Sequence, residues 1–341
     1  MGPNSPTHRI LICRLSHLGD VCHALPLYHA LRRAHPEAEL GWVIQPAFAD
    51  LIRGLPGLKQ VFLFDRSGGL GAWPRLAKSM RDWGPDWTID AQGNWKSALV
   101  TRLSGAPRRL GFHRRDWQEP SGAWAMTEYA ERALGKHSIQ RVQKLAEVVL
   151  TDCGEPKFHL PISPEATQSG AASLATRLPD RGRPRRIVHP GCPGDRRSLP
   201  LDQVEGLVRG LVQGGEDVLL LSGPGEKSSG QELSQRLGNL EAVQHWIDQR
   251  GLPEVTSLFA AAAGEGIRLV AGDSGPANLA AAMNMGVDMW TGPTDPEATG
   301  PWPLISDPQS QHTAQRSPSG NISDLKGGEL AQALLQPKPR P

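Results

Sequence analysis

The sequence predicts an α/β protein of two Rossmann-like domains, each a doubly wound parallel sheet, facing a central cleft. Three observations predict it. Short apolar runs alternate with segments of helical spacing along most of the chain. The alternation stops in a stretch that mixes Pro, Ser, Gly and Arg, then begins afresh. Loops carrying Gly, Pro and Asp recur directly after the apolar runs, at the strand ends where such sheets bind ligands.

The elements follow in order. Ile10–Cys13 reads as a buried strand, and Leu18–Ala34 as a helix with Val21, Leu25, Leu27, Leu31 and Ala34 on its apolar side. Leu40–Ile44, Val61–Phe64 and Trp87–Asp90 read as further strands. Helices are expected over Phe48–Ile52, Arg75–Trp83, Lys96–Leu103 and Ile139–Cys153. In the second half, strands are expected at Arg186–His189, Val218–Leu221, Ile267–Ala271 and Val287–Trp290. Helices are expected at Leu201–Gln213, Lys227–Leu237, Leu252–Ala263 and Pro276–Met283. The expected division is a first domain over 1–160, a linker over 161–184, a second domain over 185–305 and a tail over 306–341. Glu165–Arg177 and Ser323–Leu335 are candidate helices within the linker and the tail. Apolar strands without polar alternation imply sheets covered on both faces.

The totals narrow the function classes. At 341 residues the chain fits two average domains, and 38% hydrophobic with 21% charged residues suits packed cores. Lys+Arg 37 against Asp+Glu 35 gives a net charge of +2, too even to argue for nucleic acid. Cys13, Cys22, Cys153 and Cys192 are scattered, without CxxC or zinc spacing, which suggests free thiols in a reducing compartment and no metal. Met1–Arg9 lacks the charged-then-apolar pattern of a signal peptide, and no window approaches 18 apolar residues. A cytoplasmic protein is expected.

Chemistry is expected at the loops. Arg14–Asp20 follows the first strand. Gly19 permits close backbone approach, and Asp20 reads either as a general base or as a helix cap. Gly272–Asn278 joins a strand to a helix, with Pro276 at the helix start, and can hold a phosphate on backbone amides or be an ordinary turn. His189–Arg197 is Gly-rich and ends in two arginines, suiting a diphosphate or a solvated loop. Glu226 can accept from a ribose or cap a helix, and Gly292–Pro296 lies on the same rim. No Walker loop is present, and no GxGxxG follows the first strand, so a nicotinamide cofactor lacks support. Lys96, Arg102, Arg108, Arg109, Arg114 and Arg115, interleaved with Trp95, Phe112 and Trp117, form either an anion-binding patch or a solvated face.

Taken together, these segments resemble the bacterial ADP-heptose:lipopolysaccharide heptosyltransferases, glycosyltransferase family 9. The resemblance runs from about Arg9 to about Pro303. It rests on Arg9–Pro26 with its Ser-x-x-Gly-Asp, on Ile89–Ser97, on the His-Pro-Gly loop, on Gly272–Ala282 and on Gly292–Pro296. It implies a GT-B fold and inverting, metal-independent transfer of heptose or a related sugar, with no cofactor beyond the ADP-sugar substrate. Asp20 would be the general base. The second domain would bind the nucleotide-sugar through Gly191, Arg197, Glu226, Asp273, Ser274, Gly275 and Asn278, with Gly19 approaching from the first. Lys96, Arg114 and Arg115 in the first domain would face an anionic, lipid-linked glycan acceptor. That acceptor would bring the protein to the periphery of the inner membrane, with no nucleic-acid partner. The family commonly has Lys-x-Trp-Pro where this chain has Arg197-Ser198-Leu199-Pro200, and His where it has Asn278. Two other readings stay open on these residues: a non-catalytic nucleotide-sugar binder, and a GT-B enzyme using a UDP-sugar.

Overall fold

The computed structural model describes residues 9–65, 67–69, 71–192, 194–247 and 251–336. Residues 1–8, where no signal pattern was read, and 337–341, the end of the expected tail, lie outside the described residues. The chain divides into two compact units, Met1–Pro161 and Ile162–Pro341.

The first unit runs β1 (Arg9–Cys13), α1 (Leu18–Ala34), β2 (Glu39–Ile44), α2 (Pro46–Ile52), β3 (Leu58–Leu63), α3 (Ala72–Trp83), β4 (Trp87–Asp90), α4 (Trp95–Leu103), β5 (Arg108–Gly111), β6 (Glu128–Tyr129) and α5 (Ser138–Val149). Among the described residues its strands form one six-stranded sheet, all parallel, in the order β3-β2-β1-β4-β5-β6. Ile10, Leu11, Ile12 and Cys13 are fully buried, because a strand covered on both faces has no side on which to carry polar residues. Asn94 and Ser97 cap each other's amides at 2.9 and 3.1 Å, which fixes where α4 begins after β4. Cys13 pairs with Asp90, so the loops after β1 and β4 leave the sheet side by side. The chain turns one way from β1 to β2 and the other way from β4 to β5, which makes this the switch point where open α/β sheets bind ligands.

The second unit runs α6 (Pro164–Arg177), β7 (Arg185–His189), α7 (Leu201–Gln213), β8 (Asp217–Leu221), α8 (Lys227–Leu237), β9 (Val243–Trp246), α9 (Leu252–Gly264), β10 (Arg268–Gly272), α10 (Gly275–Ala282), β11 (Val287–Thr291), α11 (Pro296–Thr299), β12 (Thr313–Arg316) and α12 (Gly327–Leu335). Its described strands form a six-stranded parallel sheet in the order β12-β11-β10-β7-β8-β9. Counted from β7, this repeats the order of the first sheet, with the switch point between β7 and β10. Leu207, Leu211, Leu220, Val270 and Leu334 join one apolar core, each leucine contributing about 1.5–3 kcal/mol by burial.

The structure corrects the expected boundaries. Most of the expected linker is α6, which packs on α9 within the second unit. The Ser and Pro read as linker composition are its start signal: Ser163 caps Ala166 N at 3.1 Å and Pro164 takes the first helical position. The expected tail supplies β12 to the second sheet, and its candidate helix Ser323–Leu335 is α12, Gly327–Leu335, packed on α7. The helix expected over Ile139–Cys153 ends at Val149.

Candidate active site

In the first unit the site is built at the β1/β4 switch point. Arg14 is buried, and its Nη2 lies 2.5 Å from Asp20 Oδ1. Its Nη1 donates to the Ala91 carbonyl just beyond β4. Leu15 N donates to Gln92 Oε1 at 2.7 Å, and Gln92 Nε2 donates to Ser16 Oγ at 3.2 Å. Asp90 accepts from the amides of Gln92 and Gly93 at 2.9 and 2.8 Å. The two loops are thereby stitched into one platform, with Asp20 on the first turn of α1. His17, just before α1, holds a φ of 66°, a left-handed conformation uncommon outside glycine. Its Nδ1 stands 3.6 Å from Asp20 Oδ2. Residues held so tend to cluster where geometry matters.

The electrostatics follow from these contacts. Burial favours the neutral form of Asp20, but the Arg14 guanidinium, the His17 hydrogen bond and the nearby His23 together hold its carboxyl well below the usual range. Asp90 is the opposite case: burial pushes it up to about 6 against the amides it accepts from. Arg14 Nε and Arg141 Nε are buried with no hydrogen-bond partner among the described residues. His23 Nδ1 is 2.5 Å from Ser138 Oγ, which ties α1 to the start of α5.

In the second unit β7 and β10 deliver the site. His189 Nε2 lies 3.2 Å from Glu226 Oε1, and Gly223 N donates to Glu226 Oε2 at 2.6 Å. Burial works against the Glu226 charge, yet His189 and that amide keep its carboxyl below the ordinary value. Gly191 has a φ of 91°, and a Cβ there would stand 2.5 Å from Ser198 Oγ, so the turn requires glycine. Arg197 grips Asp195 through two nitrogens, Nη2 to Oδ2 at 2.6 Å and Nε to Oδ1 at 3.0 Å. A Cβ on Gly272 would stand 2.9 Å from the Arg197 carbonyl, so the β7 loop lies directly against the end of β10. Asp273 accepts from Thr299 Oγ1 at 2.9 Å; burial raises its pKa, opposed by that bond and by the Arg197 charge. Ser274 caps α10, its Oγ accepting from Ala277 N at 3.4 Å. First-turn amides of α10 beside a guanidinium suit a diphosphate.

The sequence profile of Glycosyltransferase family 9 (heptosyltransferase) matches residues 73–321. The chain belongs to this family. It is therefore a transferase enzyme. It is similar to lipopolysaccharide heptosyltransferase 1 of Pseudomonas aeruginosa, 27% identical over 303 residues that cover 86% of this chain and 81% of the relative. It is also similar to lipopolysaccharide heptosyltransferase 1 of Escherichia coli K12, 26% identical over 343 residues covering 96% and 98%. Among solved structures, E. coli heptosyltransferase WaaC with ADP superposes with a TM-score of 0.75 at 22% identity, over 96% of this chain and 98% of that one. That likeness shows the fold, GT-B.

Within this family 9 chain the structure sorts the candidate residues by unit. Gly19 and Asp20 sit at the β1/β4 switch point of the first sheet. Lys96 lies on the first turn of α4, after β4, and Arg114 and Arg115 lie after β5, so all three share that strand-end edge. Gly191 and Arg197 follow β7, Glu226 follows β8, and Asp273, Ser274, Gly275 and Asn278 follow β10, all on the corresponding edge of the second sheet. Glu226 is held by His189, Arg197 by Asp195, and Asn278 Nδ2 donates back to the Ser274 carbonyl at 3.3 Å. Leu199, where the resemblance leads one to expect Trp, is buried in the core cluster with residues of α7. Sequence reasoning missed Arg14, Gln92, His189 and Thr299 as partners of the site. The signal available for Arg14 and His189 was position: each stands at the end of the central strand of its sheet.

Proposed function

We propose that this enzyme transfers heptose from an ADP-sugar to the core of a lipid-linked glycan with inversion at the anomeric carbon and without a metal. The bond from that carbon to the β-phosphate breaks, ADP leaves, and the acceptor oxygen bonds the same carbon. Asp20 takes the acceptor's hydroxyl proton. The reading is carried by Asp20, a carboxylate held ionised by Arg14 at the switch point of the first sheet. A carboxylate with so low a pKa is a weak base toward a free alcohol. It suffices once the attacking oxygen has begun to bond carbon, because that oxygen is then far more acidic than the alcohol. Arg197, Ser274 and the α10 amides would stabilise charge growing on the departing diphosphate. Glu226 would exchange its contact with His189 for ribose hydroxyls. The lipopolysaccharide named in the relatives, at 26–27% identity, supports the acceptor class and with it a place at the membrane periphery.

The test has two arms. Thermal shift with ADP, UDP, GDP and CMP should show selective stabilisation by ADP, about 2.7 kcal/mol at a hundred times Kd. Selective stabilisation by UDP would reassign the donor. Asp20→Asn should then keep the ADP shift and lose turnover of ADP-heptose. Undiminished turnover by that variant would remove Asp20 as the base.

A further inference from the structure

The edge of the first sheet beyond β4, β5 and β6 carries a surface that folding does not account for. Leu134 is fully exposed, and Trp124 and Trp95 are 57% and 45% exposed. These three lie on one continuous piece of structure. Residues Pro120–Ala125 pack on α4, and Trp95 N donates to Glu119 Oε2 at 2.7 Å. Tyr129 donates through its hydroxyl to the Ala123 carbonyl at 2.8 Å, and the Arg114 guanidinium lies 4.7 Å from the centre of the Tyr129 ring. Ala133 N, beside Leu134, donates to Asp116 Oδ2 at 2.9 Å, two residues from Arg114.

The charge around these apolar groups is one-sided. From Trp95 to Arg141 the chain has nine Lys and Arg against four Asp and Glu, whereas the rest has 28 against 31. Lys96, Arg114, Arg115, Arg132 and Lys136 are all exposed. Of the four acids, Asp116 accepts from Ala133 N, Glu119 from Trp95 N, and Glu128 pairs with Arg108 at 2.9 Å, while Glu131 is exposed beside Arg132. The outward face is thus cationic with protruding indoles and a leucine. Indoles favour the headgroup level of a bilayer, and basic side chains beside them are drawn to anionic lipid. A protein partner would be met by complementary shape, but these apolar groups stand singly among cations, which suits a fluid surface.

We propose that this face docks on an anionic phospholipid bilayer, with Trp95, Trp124 and Leu134 entering the interface and Lys96, Arg114, Arg115, Arg132 and Lys136 lying over the headgroups. The inference deepens the lipid-linked acceptor reading and is tested apart from it, since vesicle binding needs neither donor nor acceptor. Docking here would bring Lys96, Arg114 and Arg115 to the plane from which such an acceptor is drawn.

The full chain is sedimented with vesicles of phosphatidylcholine alone and with 30% phosphatidylglycerol, as about a third anionic lipid is enough to recruit a basic patch. Binding to the anionic vesicles and its loss at high salt are expected. Arg132→Glu/Lys136→Glu should weaken partitioning by more than the roughly five-fold per charge that neutralisation costs. Trp124→Ser/Leu134→Ser should weaken it at low salt while leaving the steepness of its salt dependence unchanged. Circular dichroism and melting temperature check that each variant folds, as exposed positions should allow. Absence of binding to anionic vesicles would overturn the proposal, as would binding that both variants leave unchanged. A concentration-dependent dimer abolished by Trp124→Ser/Leu134→Ser would also overturn it, by assigning the face to a second copy.

Discussion

Replacing Arg14 by Met should move the titration of Asp20 upward, toward the acid limit at which the enzyme can be assayed. The guanidinium stands 2.5 Å from Asp20 Oδ1 and is itself buried, so screening by water is weak. Asp20 retains 27% side-chain exposure, so its partner's removal falls short of the 3–5 kcal/mol typical of a fully buried pair, at about 2–3 kcal/mol. Each pKa unit is worth about 1.4 kcal/mol. The direction follows from the opposing causes: burial raises the Asp20 pKa, and Arg14 leads the charges that lower it, followed by His17 and His23. Without Arg14, only the two histidines are left to oppose burial, so the Asp20 pKa rises. The sign for stability is set by the depressed value in the parent. The Arg14–Asp20 pair stabilises the fold above the unfolded carboxyl value near 3.8 and is lost as pH falls through the folded value, so the variant forfeits that stabilisation at neutral pH. The assay is kcat/KM for ADP release from about pH 3 to 8, read by shape so that a uniform loss of activity does not confuse it. The parent profile should be flat on its acid side. Arg14→Met should show an acid limb that begins about two pH units above the parent's, as about 2–3 kcal/mol at about 1.4 kcal/mol per unit requires, and Arg14→Lys should restore the flat profile by restoring the charge. An Arg14→Met profile of the parent's shape would refute the claim that Arg14 sets the ionisation of Asp20.

Other outcomes follow from single contacts. Gly191→Ala must place a side chain at a φ of 91° and 2.5 Å from Ser198 Oγ, so it should cost about 1–3 kcal/mol in urea unfolding and weaken ADP binding. Gly170→Ala drives a methyl into the Ser257 carbonyl where α6 crosses α9, and should destabilise by about 1–3 kcal/mol while leaving ADP affinity unchanged. His245 is held near a pKa of about 4 by burial, with Ser222 and Ser234 on its two ring nitrogens. The unfolded chain takes up a proton near 6.5 and the folded one does not, so stability should fall from about pH 6.5 to about pH 4. Discounted for partial exposure, that loss is about 2 kcal/mol, and His245→Gln should flatten the slope. Leu207→Ala, at a fully buried core position, should cost about 2–5 kcal/mol.

The fold was legible where burial and composition agree. The central strands β1, β4, β7, β8, β10 and β11 are buried on both faces and read as apolar runs, which is why their positions emerged to within a residue or two. The missed strands are those toward the sheet edges. β5 begins Arg108-Arg109, β9 reads Val-Gln-His-Trp and β12 reads Thr-Ala-Gln-Arg, and each shows water enough polar side chains to hide its period. The candidate helix Glu165–Arg177 is α6, but it was assigned to a linker because Ser163-Pro164 serves loops and helix starts alike, and only its packing on α9 places it in the second unit. The same division holds for the candidate site. Asp20, Gly191 and Asp273 were named as candidates because each follows a central strand, at the strand-end edge of its own sheet. The partners were not found, because Arg14 meets Ala91 and Leu15 meets Gln92 across 77 residues through a register, Cys13 opposite Asp90, that no local pattern encodes.

The departures from the family pattern gain a physical meaning from this register of contacts. Leu199 fills the core beneath α7, so the loss of the family's Trp there is absorbed as packing. Asn278 turns its amide back to the Ser274 carbonyl and thereby holds the first turn of α10 closed beneath Asp273 and Ser274. A helix start kept in place needs no ionisable side chain at position 278 to meet a phosphate, since its amides do that work and are present whatever that side chain is. In the proposed reaction, charge growing on the diphosphate would then fall to Arg197, which the Asp195 carboxylate grips by two nitrogens within the same loop. Arg197 presents a planar fork where the family has the single ammonium of Lys, so the pair it makes with Asp195 is directional, and only a ligand with two oxygens in reach replaces that partner on equal terms. On this reasoning Arg197→Lys is not a return to the family pattern but a loss. It should weaken ADP more than adenosine, which has no phosphate oxygens to offer the fork, and an equal loss for both would count against a phosphate held there.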